Sequence, residues 1–241
     1  AEREELVAEL REGLASNLDA LDLTSFPDVN GQAPRYADKD FIRLAHSNQR
    51  VAAVKRLRRA LTSRQISRLL LYFATGNEIS PERIDPQLVP IVSESENGRL
   101  FRLATVLWSI PVSVGYGRRM RFLVFDRNNG KLIGLFALMD PVFNLRVRDD
   151  WIGWTVDQRV RRLASVMDAY VLGSVPPYSQ LLGGKLIASL IGSAEVSQVF
   201  DDRYGDSTGI ISGKRKQSKL ALVTVTSALG RSSLYNRLKL P

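Results

Sequence analysis

The stretch that decides the fold reads YVLGSVPPYSQLLGGKLIASLI and occupies residues 170–191. It joins a short apolar run, a Pro-Pro bend, two glycines and a second apolar run. The first run predicts a strand over 170–175, and the second predicts a helix over about 183–193. A strand that leads through a glycine turn into a helix start leaves several backbone N–H groups pointing the same way. This arrangement is typical of an anion-binding site.

Upstream of this stretch the sequence predicts a β-hairpin. Residues 121–125 and 132–138 are rich in β-forming side chains, and DRNNG at 126–130 lies between them. Asn and Gly tolerate positive φ, so this pentapeptide favours a tight turn. Thr155 and Gln158 fit a capping box at the start of a further helix.

The order of these elements predicts an α/β or α+β fold with a mixed sheet. Residues 220–226 predict another strand and residues 231–239 a final helix. Residues 1–110 are predicted to be mainly helical, and we place the α/β domain at 111–241. The start at Ala1 and the end at Pro241 lead us to expect a fragment of a longer protein.

Charge is distributed unevenly along the chain, which has a net charge of +9. Residues 41–77 carry eight basic side chains and no acidic one, and residues 207–241 carry seven and again no acidic one. Segregated positive charge favours an anionic polymer as partner. The alternative interpretation is an ordinary solvated basic face.

Composition excludes several chemistries. The chain has no cysteine and a single histidine, His46, so disulfides, thiol catalysis, a zinc site and a Ser-His triad are not expected. We therefore predict no metal site built on these ligands. No apolar run approaches the roughly 20 residues that cross a bilayer, so no membrane partner is predicted. A chain without cysteine is typical of a cytoplasmic protein.

The order hairpin, strand, glycine turn, helix, strand, helix resembles the GNAT acyltransferase fold, and the chain ends before that fold's final strands. The resemblance implies that Gln180, Gly183, Gly184 and Lys185 bind the pyrophosphate of a coenzyme A donor. It also implies that Tyr235, in SSLYNRL at 232–238, is a general acid, and Asp140 is the nearest candidate for a base. Equally, the glycines could serve only tight packing, and Tyr235 could be a core aromatic.

A second resemblance covers most of the chain. The motifs AHSNQR at 45–50, GYGRRMR at 115–121, RDDWIGW at 148–154 and SALGRSS at 227–233 together resemble the DruA family. That family is named for a component of the Druantia anti-phage system. The resemblance implies a defence context and other defence-system proteins as partners, and it identifies no reaction.

We interpret the chain as a nucleic-acid-associated component of a prokaryotic anti-phage system that binds phosphates through basic helices and an Arg/Trp face. The candidate contacts are Arg50, Lys55, Arg56, Arg58, Arg59, Arg118, Arg119, Arg148, Trp151, Trp154, Lys214, Arg215, Lys216 and Arg231. Arginine can grip phosphate bidentately, and tryptophan can stack on bases. Ordinary ion pairing and packing against the sheet are the competing roles for these side chains.

Two enzymatic alternatives remain open. One is an acyltransferase that uses a coenzyme A donor. The other is a metal-dependent nuclease that draws on the aspartates of the second half, namely Asp126, Asp140, Asp149, Asp150, Asp157 and Asp168.

Overall fold

A computed structural model describes residues 39–208 and 215–227, together with residues 229, 232 and 238. The chain divides into two units, residues 1–48 and residues 49–241. Helix α1, Lys39–Ala45, belongs to the first unit. The elements from residue 49 onward belong to the second unit.

The helices described from residue 47 onward are α2 (Ser47–Ala60), α3 (Ser63–Leu70), α4 (Glu96–Thr105), α5 (Arg146–Ile152), α6 (Val156–Arg162), α7 (Gly183–Leu190) and α8 (Ala194–Tyr204). Three of them, α3, α4 and α6, begin at a side-chain cap. Thr62 and Thr155 each form a capping box with a glutamine three residues later, and Ser95 accepts from the backbone N–H of Gly98. Each cap satisfies N–H groups that a helix start leaves without partners.

The strands form one mixed sheet and one small ladder. The sheet contains β1 (Pro86–Pro90), β2 (Arg119–Asp126), β3 (Lys131–Met139), β4 (Val166–Ser174) and β7 (Leu222–Val225) in that order. The first four strands are antiparallel to their neighbours, and β7 runs parallel to β4. The ladder pairs β5 (Asp206–Thr208) with β6 (Arg215–Gln217).

Alternating side chains of the sheet form two hydrophobic cores, one on each face. Phe122 and Phe136 stack with ring centroids 4.7 Å apart and pack with residues of α7 and α8. Leu123 and Leu135 pack on the opposite face with residues of α3 and α4. The sheet therefore lies between two helical layers.

The mixed α/β fold predicted from the sequence is confirmed. The hairpin is β2–β3, the strand predicted at 170–175 is the second half of β4, and the helix after the glycine turn is α7. The GNAT likeness in detail stays a prediction. So does the domain boundary near residue 110, although β1 pairs with β2 across it. Among the described helices, none has the length and apolar character needed to cross a membrane.

Candidate anion-binding site

Chain topology gathers several charged residues at one end of the sheet. Strands β2 and β4 begin at this end, and β1 and β3 finish there. The register places Arg119 opposite Met139 and Met139 opposite Asp168. Arg118, Asp140 and the loops that follow β1 and β3 therefore belong to the same end of the sheet.

A cleft of about 370 Å³ lies at this end, beside the segment that follows β1. The described residues that line it are Ile91, Ser93, Val114, Gly117, Arg119, Arg121, Arg203 and Tyr204. Three of them are arginines and none is acidic. Of these arginines only Arg119 was a predicted contact.

Two structural elements supply the three guanidinium groups. Arg119 and Arg121 alternate along β2 and so share one face of the strand, and Arg203 lies in the last turn of α8. Arg119 Nη1 donates to the Val114 carbonyl and Arg203 Nη2 to the Ile91 carbonyl, both at 3.4 Å. Among the described residues, none of the three arginines forms a salt bridge with a carboxylate. None of the three guanidinium groups is therefore paired directly with a described carboxylate.

Aromatic side chains hold this cluster in place. The Tyr204 hydroxyl accepts from the backbone N–H of Arg119 and donates to the carbonyl of the same residue, at 2.9 Å in each case. The Arg121 guanidinium lies 5.9 Å from the Phe101 ring centroid, a cation–π distance. These contacts fix the start of β2 between α4 and α8.

Arg118 has a different role from its neighbour Arg119. Its Nε lies 2.6 Å from Asp140 Oδ1, its Nη1 donates to the Ala164 carbonyl at 2.6 Å, and its Nη2 donates to the Val166 carbonyl at 3.1 Å. The guanidinium also lies over the Phe200 ring. Asp140 accepts a second bond from the Arg118 backbone N–H at 3.0 Å. Arg118 and Asp140 thus join β2 to the segment before β4, and we do not assign them phosphate binding or base catalysis.

A buried carboxylate organises the RDDWIGW motif. Asp149 Oδ1 accepts from Arg148 Nε at 2.9 Å and Nη2 at 2.7 Å, and Asp149 Oδ2 accepts from Arg159 Nη1 at 3.0 Å. Burial acts to raise the pKa of Asp149, but hydrogen bonds from the two arginines outweigh it, so the pKa is lowered overall. Arg148 also donates to the carbonyls of Val142 and Phe143. Arg148 is thereby committed to holding the loop after β3.

The two tryptophans of this motif differ in exposure. Helix α5 is followed by its C-cap residue Gly153, whose φ of 79° lies in the left-handed region that favours glycine. The chain then folds back, so that half-buried Trp154 lies 5.9 Å from the Arg148 guanidinium. Trp151 is 84% exposed. Trp151 is therefore the more exposed of the two rings.

Helix α2 carries five of the twelve predicted basic contacts. Arg50 Nη1 donates to the Ser109 carbonyl at 3.0 Å and is partly buried. Lys55, Arg56, Arg58 and Arg59 are exposed, and within the described residues none of these four forms a salt bridge. The helix therefore presents a concentrated positive surface.

Neighbouring atoms fill the space around the glycine turn at residues 183 and 184. Gly183 is buried, and a Cβ placed there would lie 2.6 Å from the Tyr178 carbonyl oxygen and 3.0 Å from Ser174 Cβ. Gln180 is exposed in the preceding 3₁₀ turn, and Gly184 and Lys185 belong to the first turn of α7. The Lys185 N–H donates to the Leu182 carbonyl at 2.9 Å. This geometry supports the packing role of Gly183 that the sequence left open.

Five of the predicted site residues have no side-chain description. Lys214, Arg231 and Tyr235 lie outside the described residues, and Arg215 and Lys216 lie on β6 without described side chains. Within the described part, no group of three or more His, Asp or Glu side chains could hold a metal ion. Asp126, one of the aspartates considered for metal binding, instead accepts from the buried Tyr178 hydroxyl at 2.9 Å.

Sequence reasoning missed Arg121 and Arg203. The predicted strand began at Arg121, two residues after Arg119, and a strand begun at Arg119 would have placed both side chains on one face. No local signal could have found Arg203, because it approaches the cleft through the packing of α8 rather than through any motif.

Fold and site together define a mixed α/β protein with an arginine-lined cleft at one end of its sheet. The chain belongs to the DruA family, because the family's sequence model, described as Druantia protein DruA, matches residues 36–241. Druantia protein DruA of Escherichia coli (strain UMEA 4076-1) is 49% identical over 233 residues. That alignment covers 97% of this chain and 57% of the E. coli protein, so the chain spans little more than half the length of this relative. No solved structure matches the chain.

Proposed function

We propose that the chain is a nucleic-acid-binding component of a prokaryotic anti-phage defence system. Membership of the DruA family supports the defence context. The observation that carries nucleic-acid binding is the surface of α2, where Lys55, Arg56, Arg58 and Arg59 are exposed without carboxylate partners among the described residues. The other proteins of the same system are the partners that family membership supports.

Crowding of like charges on α2 is unfavourable. Four cations within two turns of one helix repel one another, and no described acid relieves them. A phosphate backbone relieves this repulsion and releases the counterions condensed on it, which makes binding favourable without base contacts. We therefore expect binding that depends little on sequence.

No separate observation favours either enzymatic alternative. Asp140 forms a salt bridge with Arg118, and atoms of Tyr178 and Ser174 fill the space beside Gly183. The described residues contain no cluster of side chains that could bind a metal ion. The proposal is accordingly one of binding and not of a reaction.

Fluorescence anisotropy with a labelled duplex and a labelled single strand tests the proposal. A variant with Arg56→Ala, Arg58→Ala and Arg59→Ala should bind roughly tenfold or more weakly at low salt, because it loses several phosphate contacts. A matched control with Arg83→Ala, Arg127→Ala and Arg146→Ala removes the same charge from other exposed positions and should bind nearly normally. Equal losses in both variants would show that net charge, and not α2, determines binding.

A further inference from the structure

The cleft lined by Arg119, Arg121 and Arg203 differs in shape from the surface of α2, because it is concave. Cations on a convex helix can contact a polymer, but each meets a different phosphate. Three guanidinium groups lining one cleft can act on the same ligand group. No carboxylate is among the described residues that line the cleft, so none of them competes with an anionic ligand for the arginines.

We propose that this cleft binds a terminal phosphate or a short phosphate chain. A backbone phosphodiester carries a single negative charge, whereas a terminal phosphate carries about −1.5 to −2 at pH 7 and offers three acceptor oxygens. The charge of three arginines is therefore matched better by a terminal phosphate or a phosphate chain than by a single phosphodiester of a nucleic acid backbone. Two sources share this chemistry: a nucleoside di- or triphosphate, and the 5′-phosphorylated end of a nucleic acid strand.

The arginines retain the donors that such a ligand needs. A guanidinium has five N–H donors. Arg119 and Arg203 each donate one long side-chain bond, of 3.4 Å, to a carbonyl. Arg121 is oriented by the Phe101 ring, and a guanidinium lying over an aromatic face keeps its edge available for bidentate contact with phosphate.

The size of the cleft and its other lining residues fit the same ligand class. A volume of about 370 Å³ exceeds that of one phosphate and lies within the range of about 300–1,000 Å³ usual for small-molecule sites. Ser93 lines the cleft beside the arginines and can add a hydroxyl donor. Gly117, with φ of 62°, and Val114 complete the wall without adding charge.

This inference goes beyond the proposed function, because phosphate binding in the cleft does not require that α2 bind nucleic acid. The two surfaces share no residue. Variants of α2 and variants of the cleft should therefore have separable effects.

Calorimetric titration in EDTA-containing buffer tests the cleft with ATP, tripolyphosphate, AMP and adenosine. We expect ATP and tripolyphosphate to bind, AMP to bind more weakly and adenosine not to bind. Arg203→Ala, which changes an exposed side chain, should weaken ATP binding by about tenfold to a hundredfold, as expected for the loss of charge-assisted hydrogen bonds. Arg162→Ala, an exposed arginine on α6, is the matched control and should leave ATP binding unchanged.

A pair of oligonucleotides that differ only in a 5′-phosphate distinguishes the two sources. Preference for the phosphorylated strand that Arg203→Ala abolishes would support a strand end as the ligand. ATP binding without such a preference would support a free nucleotide. Absence of binding by every phosphate probe, or ATP binding that survives both Arg203→Ala and Arg119→Ala, would overturn the proposal. The α2 triple variant should still bind ATP even where it has lost the duplex.

Discussion

At the scale of single residues, Asp149 is the most consequential side chain of the RDDWIGW motif. It is buried between Arg148 and Arg159, and Arg159 Nε has no hydrogen-bond partner among the described residues. A buried ion pair contributes little net stability, but removal of one partner leaves the other charge buried and uncompensated.

Asp149→Asn should therefore lower the free energy of unfolding by roughly 3–5 kcal/mol. Urea denaturation followed by circular dichroism measures this change. Asp150→Asn, at an exposed neighbour whose Arg146 partner is also exposed, should change stability by less than about 1 kcal/mol. Similar small effects of both changes would contradict the assignment of Asp149 as the organising carboxylate.

Glu78 provides a pH-dependent contribution to stability. Hydrogen bonds from Lys131 and from the Thr75 backbone and hydroxyl lower its pKa from 4.5 to about 2. Because the pKa of Glu78 is lower in the folded state than in the unfolded state, Glu78 contributes to the free energy of unfolding above about pH 4.5. This contribution is lost as pH falls through about 2. The stability of the wild type should therefore fall more steeply between pH 5 and pH 2 than that of Glu78→Gln. Parallel slopes in urea denaturation over this range would contradict the role of Glu78.

At the scale of elements, the tryptophans of helix α5 and of the turn after it should have separate roles. Trp151→Ala should leave stability within about 0.5 kcal/mol of the wild type and weaken single-strand binding by about 1–3 kcal/mol, because an exposed ring is available to stack on a base. Trp154→Ala should instead cost about 1–3 kcal/mol of stability through lost packing on Arg148.

Anisotropy and urea denaturation on the same preparations separate the two effects. Val147→Ala, one helical turn from Trp151 and also exposed, is the control for loss of apolar surface. If Trp151→Ala binds single-stranded nucleic acid as tightly as the wild type, Trp151 does not stack on a base, and the arginines alone would explain binding.

The turn before α7 should be structural. Gly183→Ala should destabilise the fold by about 1–3 kcal/mol, since its Cβ would crowd the Tyr178 carbonyl. Gly76→Ala, at a glycine with open space around it, is the control. Wild-type protein should show no rise in melting temperature with acetyl-CoA. A rise in melting temperature that Gly183→Ala abolishes would instead support an acyl-donor site at this turn.

Elements with local signals could be predicted from the sequence. The DRNNG turn and the Thr155 capping box each depend on residues within five positions, and both are present. Strand β1 was missed because prolines at both of its ends argue against a strand. Its place at the edge of the described sheet tolerates them.

Tertiary contacts determine the features that could not be predicted from the sequence. Helix α3 lies in the region predicted to be mainly helical but ends at Leu70, where the chain turns away to the hairpin. There the Tyr72 carbonyl accepts from the Leu132 N–H at 2.7 Å. The arginine cleft likewise depends on α8 packing beside β2, which joins Arg119 and Arg203 across a long separation in sequence.

At the scale of the whole molecule, positive charge is concentrated where described acids do not neutralise it. Six described acids form salt bridges with other cations, among them Asp140, Asp149 and Glu78 with Arg118, Arg159 and Lys131. The exposed arginines of α2 have no such partners among the described residues. This segregation is the central reason to propose that the protein binds a polyanion.

The salt dependence of duplex binding tests that claim most directly. The logarithm of the binding constant should fall linearly with the logarithm of salt concentration, by about 0.9 for each phosphate contacted. The variant with Arg56→Ala, Arg58→Ala and Arg59→Ala should reduce the slope by roughly 2–3, whereas the control at Arg83, Arg127 and Arg146 should keep it. A salt-independent affinity, or an unchanged slope in the α2 variant, would contradict the account.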